Sequence, residues 1–99
     1  MIGLEPHELQ ILQEVLKTFP HITEAILFGS RALGTHRKAS DVDLAIKGNI
    51  DIQTLSKLKY FLEEETLLPY FFDVLIYNDI KNKELKRHID EIGEIIWKQ

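Results

Sequence analysis

The chain has 99 residues, which fits one domain spanning 1–99 and leaves no room for a second. Twelve basic against sixteen acidic side chains give a net charge of -4, which argues against bulk binding to a nucleic-acid backbone but leaves a metal-assisted phosphate site open. Cysteine is absent, so disulfide frameworks and thiolate zinc sites are excluded; no apolar run approaches a membrane span, Met1–Pro6 lacks the features of a signal peptide, and a cytoplasmic protein is expected.

Leu9, Leu12, Leu16 and Phe19 recur at helical spacing, predicting a helix from about Pro6 to Phe19 that Pro20 ends. The apolar run 24–28, closed by Gly29-Ser30, predicts a buried strand entering a tight turn. After a polar stretch, 41–46 alternates: Val42, Leu44 and Ile46 point one way, Asp41, Asp43 and Ala45 the other. Asp51 is a good cap for a second helix, with Ile52, Leu55, Leu58 and Leu62 on its buried face. Beyond Pro69, the segment 71–77 is apolar on both faces, as in a central strand. A third helix is expected from about Asn82 to Ile92, burying Leu85, Ile89 and Ile92, with Gly93 at a left-handed helix end and 94–97 as a last short strand. The order predicts an α/β protein, a sheet with helices packed on it.

The chemistry-bearing segment is Gly29-Ser30-Arg31-Ala32-Leu33-Gly34 followed by Ser40-Asp41-Val42-Asp43-Leu44, with Asp73 in the next apolar strand. Residues two apart on a strand share a face, roughly 6.6 Å apart, so Asp41 and Asp43 can converge on hard cations such as magnesium. Asp73 can complete the site, holding a second metal or accepting the proton of an attacking hydroxyl. An ionised carboxylate in an apolar strand is costly without a partner; a shared metal supplies one, and a backbone N–H or an arginine would serve equally. Gly29 lets the backbone approach a ligand closely, Ser30 offers a hydroxyl and an N–H to phosphate, and a short helix starting there would favour an anion. Arg31 can neutralise a triphosphate. Taken alone, Gly29-Ser30 is an ordinary strand-ending turn. The glycine spacing of Gly29 and Gly34 matches a P-loop, but Thr35-His36 follows where lysine is required, which excludes it.

Gly29 to Gly34 together with Ser40 to Ile46 resembles the signature of the DNA polymerase β-like nucleotidyltransferases, and more narrowly that of the minimal nucleotidyltransferases. The resemblance covers nearly the whole chain. It implies a small mixed β-sheet flanked by helices, a polymerase β palm-like fold of the α+β type. It implies that Gly29 and Ser30 hold the phosphates of ATP, that Asp41 and Asp43 bind Mg2+, and that Asp73 is the third catalytic carboxylate. It also implies a HEPN-domain partner in a toxin–antitoxin pair, with AMP transferred to a tyrosine of the toxin. Leu33 stands where the family often has arginine, so any contact made by that second arginine is lost here.

Two other functions compete. One is an antitoxin that blocks its partner sterically without catalysis. The other is a nucleotidyltransferase for a small molecule such as an aminoglycoside, whose acceptor pocket would need a second subunit. A homo- or hetero-oligomer fits both, since a domain this small buries only about two-thirds of its unfolded surface. Of the remaining polar residues, Ser40 either steadies Asp41, adding to a nucleotide site, or serves turn chemistry. His36-Arg37-Lys38 reads as a solvated loop, and Glu63 to Glu65 as an exposed helix end. His7, His21 and His88 have no metal spacing and receive no role. Phe71, Phe72 and Trp97 read as core, with an aromatic edge open to a partner.

Overall fold

A computed structural model describes residues 3–99; Met1 and Ile2 lie outside the described residues. The elements are α1 (Pro6–Lys17), β1 (Ile22–Phe28), α2 (Ser30–Leu33), β2 (Val42–Gly48), α3 (Ile52–Glu64), β3 (Phe72–Ile76), a 3-10 turn (Tyr77–Asp79), α4 (Lys83–Ile92) and β4 (Glu94–Lys98). The helix starts are specified locally. Glu5 and Glu8 form a capping box on α1, with the Glu5 N–H donating to Glu8 Oε1 at 2.9 Å. Asp51 accepts from the Thr54 N–H at 2.8 Å, and Asn82 accepts from the N–H groups of Glu84 and Leu85.

The four strands form one mixed sheet in the order β3-β2-β1-β4. β1 runs antiparallel to β2 and β4, while β2 and β3 are parallel and joined through α3. Alternation along each strand divides the core into two layers. On one face, Ala25, Leu27, Val42, Leu44, Ile46, Phe72 and Val74 pack against Leu12 and Leu16 of α1 and Leu55, Leu58 and Leu62 of α3. Each fully buried leucine there contributes about 1.5–3 kcal/mol. On the other face a smaller cluster of Ile26, Phe28 and Ala45 meets Ile89, with Leu85 against it. The second face is covered by α4 together with Tyr77 and Ile80 of the segment before it, and Asp41, Asp43 and Asp73 lie on this side by parity.

Several expectations are corrected. β3 is an edge strand, not a central one. Its apolar sequence hides an asymmetry: Phe72 is 1% exposed, while Phe71, expected in the core, is 70% exposed. Ile52, at 68%, and Ile92, both expected on buried helix faces, are exposed. Gly93 is not left-handed: its φ is -59°. Glycine is required there by close approach, since a Cβ would overlap the Ile89 carbonyl oxygen and the Ile26 side chain. Glu63 is not part of a free helix end. Its Oε2 accepts from the Phe72 N–H at 2.7 Å and pairs with Lys59 Nζ at 2.8 Å, and Lys59 donates to the Phe72 carbonyl. No helix of the described residues is long and apolar enough to cross a membrane.

Candidate active site

The starts of β2 and β3 lie side by side in parallel register, with Asp43 beside Asp73 and Val42 beside Phe72. Hydrogen-bonded strands are about 4.8 Å apart, so the two aspartate backbones are close neighbours across the sheet. Val42 and Phe72 are buried on the face covered by α1 and α3, which turns Asp43 and Asp73 to the other face. Asp41 immediately precedes β2 and is exposed, Asp43 is half-buried, and Asp73 is exposed. The sequence-based argument that Asp73 would be desolvated therefore does not hold: its edge position keeps it in water.

Opposite Asp43 on the other neighbouring strand is Phe28, and the chain leaves β1 through Gly29. Gly29 has φ 74° and ψ -153°, a backbone region that L side chains rarely adopt. A Cβ at this position would overlap Asp43 Oδ2, so glycine is required both by the turn and by the carboxylate it faces. The Gly29 N–H donates to His88 Nε2 at 2.9 Å, and the His88 ring meets Phe28 edge-on at 6.1 Å between centroids. Ser30 opens the single turn of α2, held by hydrogen bonds from the Leu33 N–H to the Gly29 carbonyl and from the Thr35 N–H to the Ser30 carbonyl.

His88 is the functional-site residue that spacing did not reveal. The signal was present: on α4 it lies beside the inward-facing Leu85 and Ile89, where a polar side chain needs a partner. That partner is the turn beside Asp43.

Electrostatically, negative charge dominates the site. Burial raises the Asp43 carboxyl from 3.8 to about 6, and the charges of Asp73 and Asp41 push it the same way, while His88 and Arg31 pull against them. The ion pairs among the described residues, Lys47–Glu24 and Lys59–Glu63, involve none of the three aspartates. Oxygen donors with uncompensated negative charge fit a hard divalent cation. In this arrangement, however, no group of three His, Cys, Asp or Glu side chains among the described residues is already placed to hold a metal ion.

The structure gives Arg31 and Ser40 partners other than a nucleotide. The Arg31 side chain is only 3% exposed. One terminal nitrogen donates to the Gly3 carbonyl and the other to the Ser40 carbonyl at 2.9 Å, and the guanidinium stacks over Tyr70 at 4.3 Å from the ring centroid. The Ser40 hydroxyl accepts from the Arg37 N–H at 2.8 Å, which is turn chemistry. Arg31 thus fixes the backbone one residue before Asp41. His36, expected in a solvated loop, has Nδ1 buried without a partner among the described residues. His7 and His21 are exposed and lie away from this cluster in the sequence of elements.

A mixed sheet with a Gly-Ser turn leaving one strand and carboxylates on the starts of the next two is the architecture of a nucleotidyltransferase. The family model described as "Polymerase beta, Nucleotidyltransferase" matches residues 10–99, and the chain belongs to that family. No curated protein matches the chain. Among solved structures, the chain is similar to a crystal structure of a toxin–antitoxin with AMP-PNP, at TM-score 0.74 and 21% identity over 97% of this chain and 75% of that one. It is also similar to the tri-AMPylated Shewanella oneidensis HEPN toxin in complex with its MNT antitoxin, at TM-score 0.73 and 17% identity over 97% and 74% of the two chains. A nucleotidyltransferase-like protein from Sulfolobus solfataricus is similar at TM-score 0.55 and 22% identity over 92% and 77%. At these identities the likeness establishes the polymerase β-like fold.

Proposed function

We propose that the chain transfers AMP from Mg-ATP to a hydroxyl group, that of a tyrosine on a HEPN-domain partner, and so acts as the antitoxin of a pair. The observation that carries this reading is the register pair Asp43–Asp73, with Gly29 packed against the Asp43 carboxylate at the site's other edge. The toxin–antitoxin structures, one with AMP-PNP and one with an AMPylated toxin, support the choice of nucleotide and partner.

In this reading Asp41 and Asp43 hold magnesium and Asp73 completes the carboxylate set. The ion, when bound, offsets the charge of the triphosphate and of the carboxylates. Gly29 and Ser30 receive the phosphates, the glycine because nothing projects from it and the serine through its hydroxyl and N–H. His88 holds the turn by accepting from the Gly29 N–H. The acceptor oxygen attacks the α-phosphorus, the bond from that phosphorus to the bridging oxygen breaks, and pyrophosphate leaves. The hydroxyl proton passes to Asp73, which is exposed on the open side of the site.

The test is the intact mass of co-purifying proteins before and after Mg-ATP, with wild-type chain and with Asp41→Asn. A partner that gains AMP only with wild type is the expected result. A stable partner whose mass never changes would replace this reading with steric blocking. Transfer to an added aminoglycoside, with no change in any protein, would replace it with a small-molecule enzyme.

A further inference from the structure

Across the sheet the candidate site has a direction. β1 delivers Gly29-Ser30, β2 carries Asp43 with Asp41 just before it, and β3 carries Asp73 at the free edge. Phosphates on the β1 side leave the β3 edge as the side from which an acceptor reaches the site. Phe71 stands at this edge, 70% exposed. Its carbonyl accepts from the Val42 N–H at 3.0 Å, so the parallel ladder extends back to it, and continuing the register by one residue places it beside Asp41. Phe72 points into the core, so Phe71 projects with Asp73 onto the carboxylate face.

This exposure is not that of a loose loop. The next residue is clasped from outside the sheet: Glu63 accepts from the Phe72 N–H at 2.7 Å and Lys59 donates to the Phe72 carbonyl at 2.5 Å. With Val42 on the inner side and this i,i+4 pair on the outer side, the Phe71 backbone is fixed. The same clasp occupies the outward groups of Phe72 that another strand would need, so a side chain is the better-suited visitor.

We infer that Phe71 is an acceptor-docking residue: its ring packs against the aromatic ring of an acceptor tyrosine and so directs that tyrosine's hydroxyl toward Asp73. This rests on the transfer reading above and names the part of the site that selects the acceptor. An aromatic platform beside carboxylates suits a phenol, whose ring is apolar and whose hydroxyl is the reacting group. It offers no such ring contact to an aliphatic serine.

The experiment uses the full chain with Mg-ATP and N-acetyltyrosinamide as acceptor, with N-acetylserinamide as the ringless control, and reads AMP adducts by mass. Wild type is expected to modify the tyrosine probe. Phe71→Ala should raise the KM for that probe about three- to tenfold, the factor typical of one lost aromatic pair. The KM for ATP should be unmoved, and Phe71→Trp should restore acceptor binding. A melting curve checks that each variant folds. An unchanged acceptor KM in Phe71→Ala, or a rise in the KM for ATP instead, overturns the docking role while leaving transfer intact; the second result would assign Phe71 to the nucleobase. Absence of an adduct from wild type on the probe and on every co-purifying protein defeats the transfer reading, and the docking role with it.

Discussion

Asp43→Asn should make the metal-free protein more stable at neutral pH. The native Asp43 carboxyl is raised from 3.8 to about 6, chiefly by burial and then by the Asp73 and Asp41 charges. That difference corresponds to about 3 kcal/mol against the ionised form before solvent screening. The side chain is only half-buried, so about 1–1.5 kcal/mol is the working figure. The sign follows from proton binding. Between 3.8 and about 6 the native state binds more protons at Asp43 than the unfolded chain, so wild-type stability falls as pH rises through that window. Above 6 the penalty is complete, and below 3.8 it is absent. Asparagine has no such charge. In urea melts with chelator present, the variant should exceed wild type by about 1 kcal/mol at pH 7.5, or about 4–8 °C in Tm for a domain this size. The gap should close by pH 3.5. Magnesium should then raise the wild-type Tm and leave that of Asp43→Asn nearly unmoved. A variant less stable than wild type at pH 7.5, or a gap independent of pH, would refute the reasoning, because Asp43 would then be held by a contact rather than strained by charge.

Gly29→Ala should destabilise by about 2–4 kcal/mol in urea unfolding, since the backbone conformation and the overlap with Asp43 both oppose a Cβ. His88→Leu leaves the Gly29 N–H without its acceptor and should cost about 1–3 kcal/mol, while His88→Gln, which keeps an acceptor, should recover part of this; equal losses would mean that the ring's contact with Phe28 is what matters. Arg31→Lys should cost about 2 kcal/mol in the same assay, because an ammonium cannot span the Gly3 and Ser40 carbonyls while stacking on Tyr70. Nucleotide affinity measured by titration should fall far less in Arg31→Lys than in Asp43→Asn if Arg31 acts only through the backbone before Asp41.

Periodicity made most of the fold legible. The leucines of α1 and α3, the alternation of β2 and the cap Asp51 all act within a few residues, and all four strands fall close to where the pattern places them. What was not legible depends on which strand lies at an edge. Phe71–Tyr77 is apolar enough for a central strand, and only the strand order shows that one side of β3 faces water. Asp73 and Phe71 were misjudged together for that reason: one was expected to be desolvated, the other to be core. The contacts of His88 and Arg31 were illegible for a different reason. Each makes its main contact far along the chain, His88 with Gly29 and Arg31 with Gly3 and Tyr70, and spacing within one element carries no information about such contacts.

The burial of Arg31 changes what the signature does physically. Asp41 is an exposed carboxylate outside any strand, the least constrained position in the set by secondary structure alone. Its backbone is nevertheless tied on both sides: the Ser40 carbonyl accepts from Arg31, and the Val42 N–H donates to Phe71. Ordering a free residue costs about 1–2 kcal/mol per backbone, and here folding has already met that cost before any ligand arrives. The exposed side chains of Leu33, Thr35 and Arg37 to Ala39 can therefore vary without moving Asp41, because its position depends on a buried guanidinium and on the β3 edge. Arg31, next to Gly29-Ser30, thus acts from within the fold, tying the backbone before Asp41 to Gly3 and Tyr70.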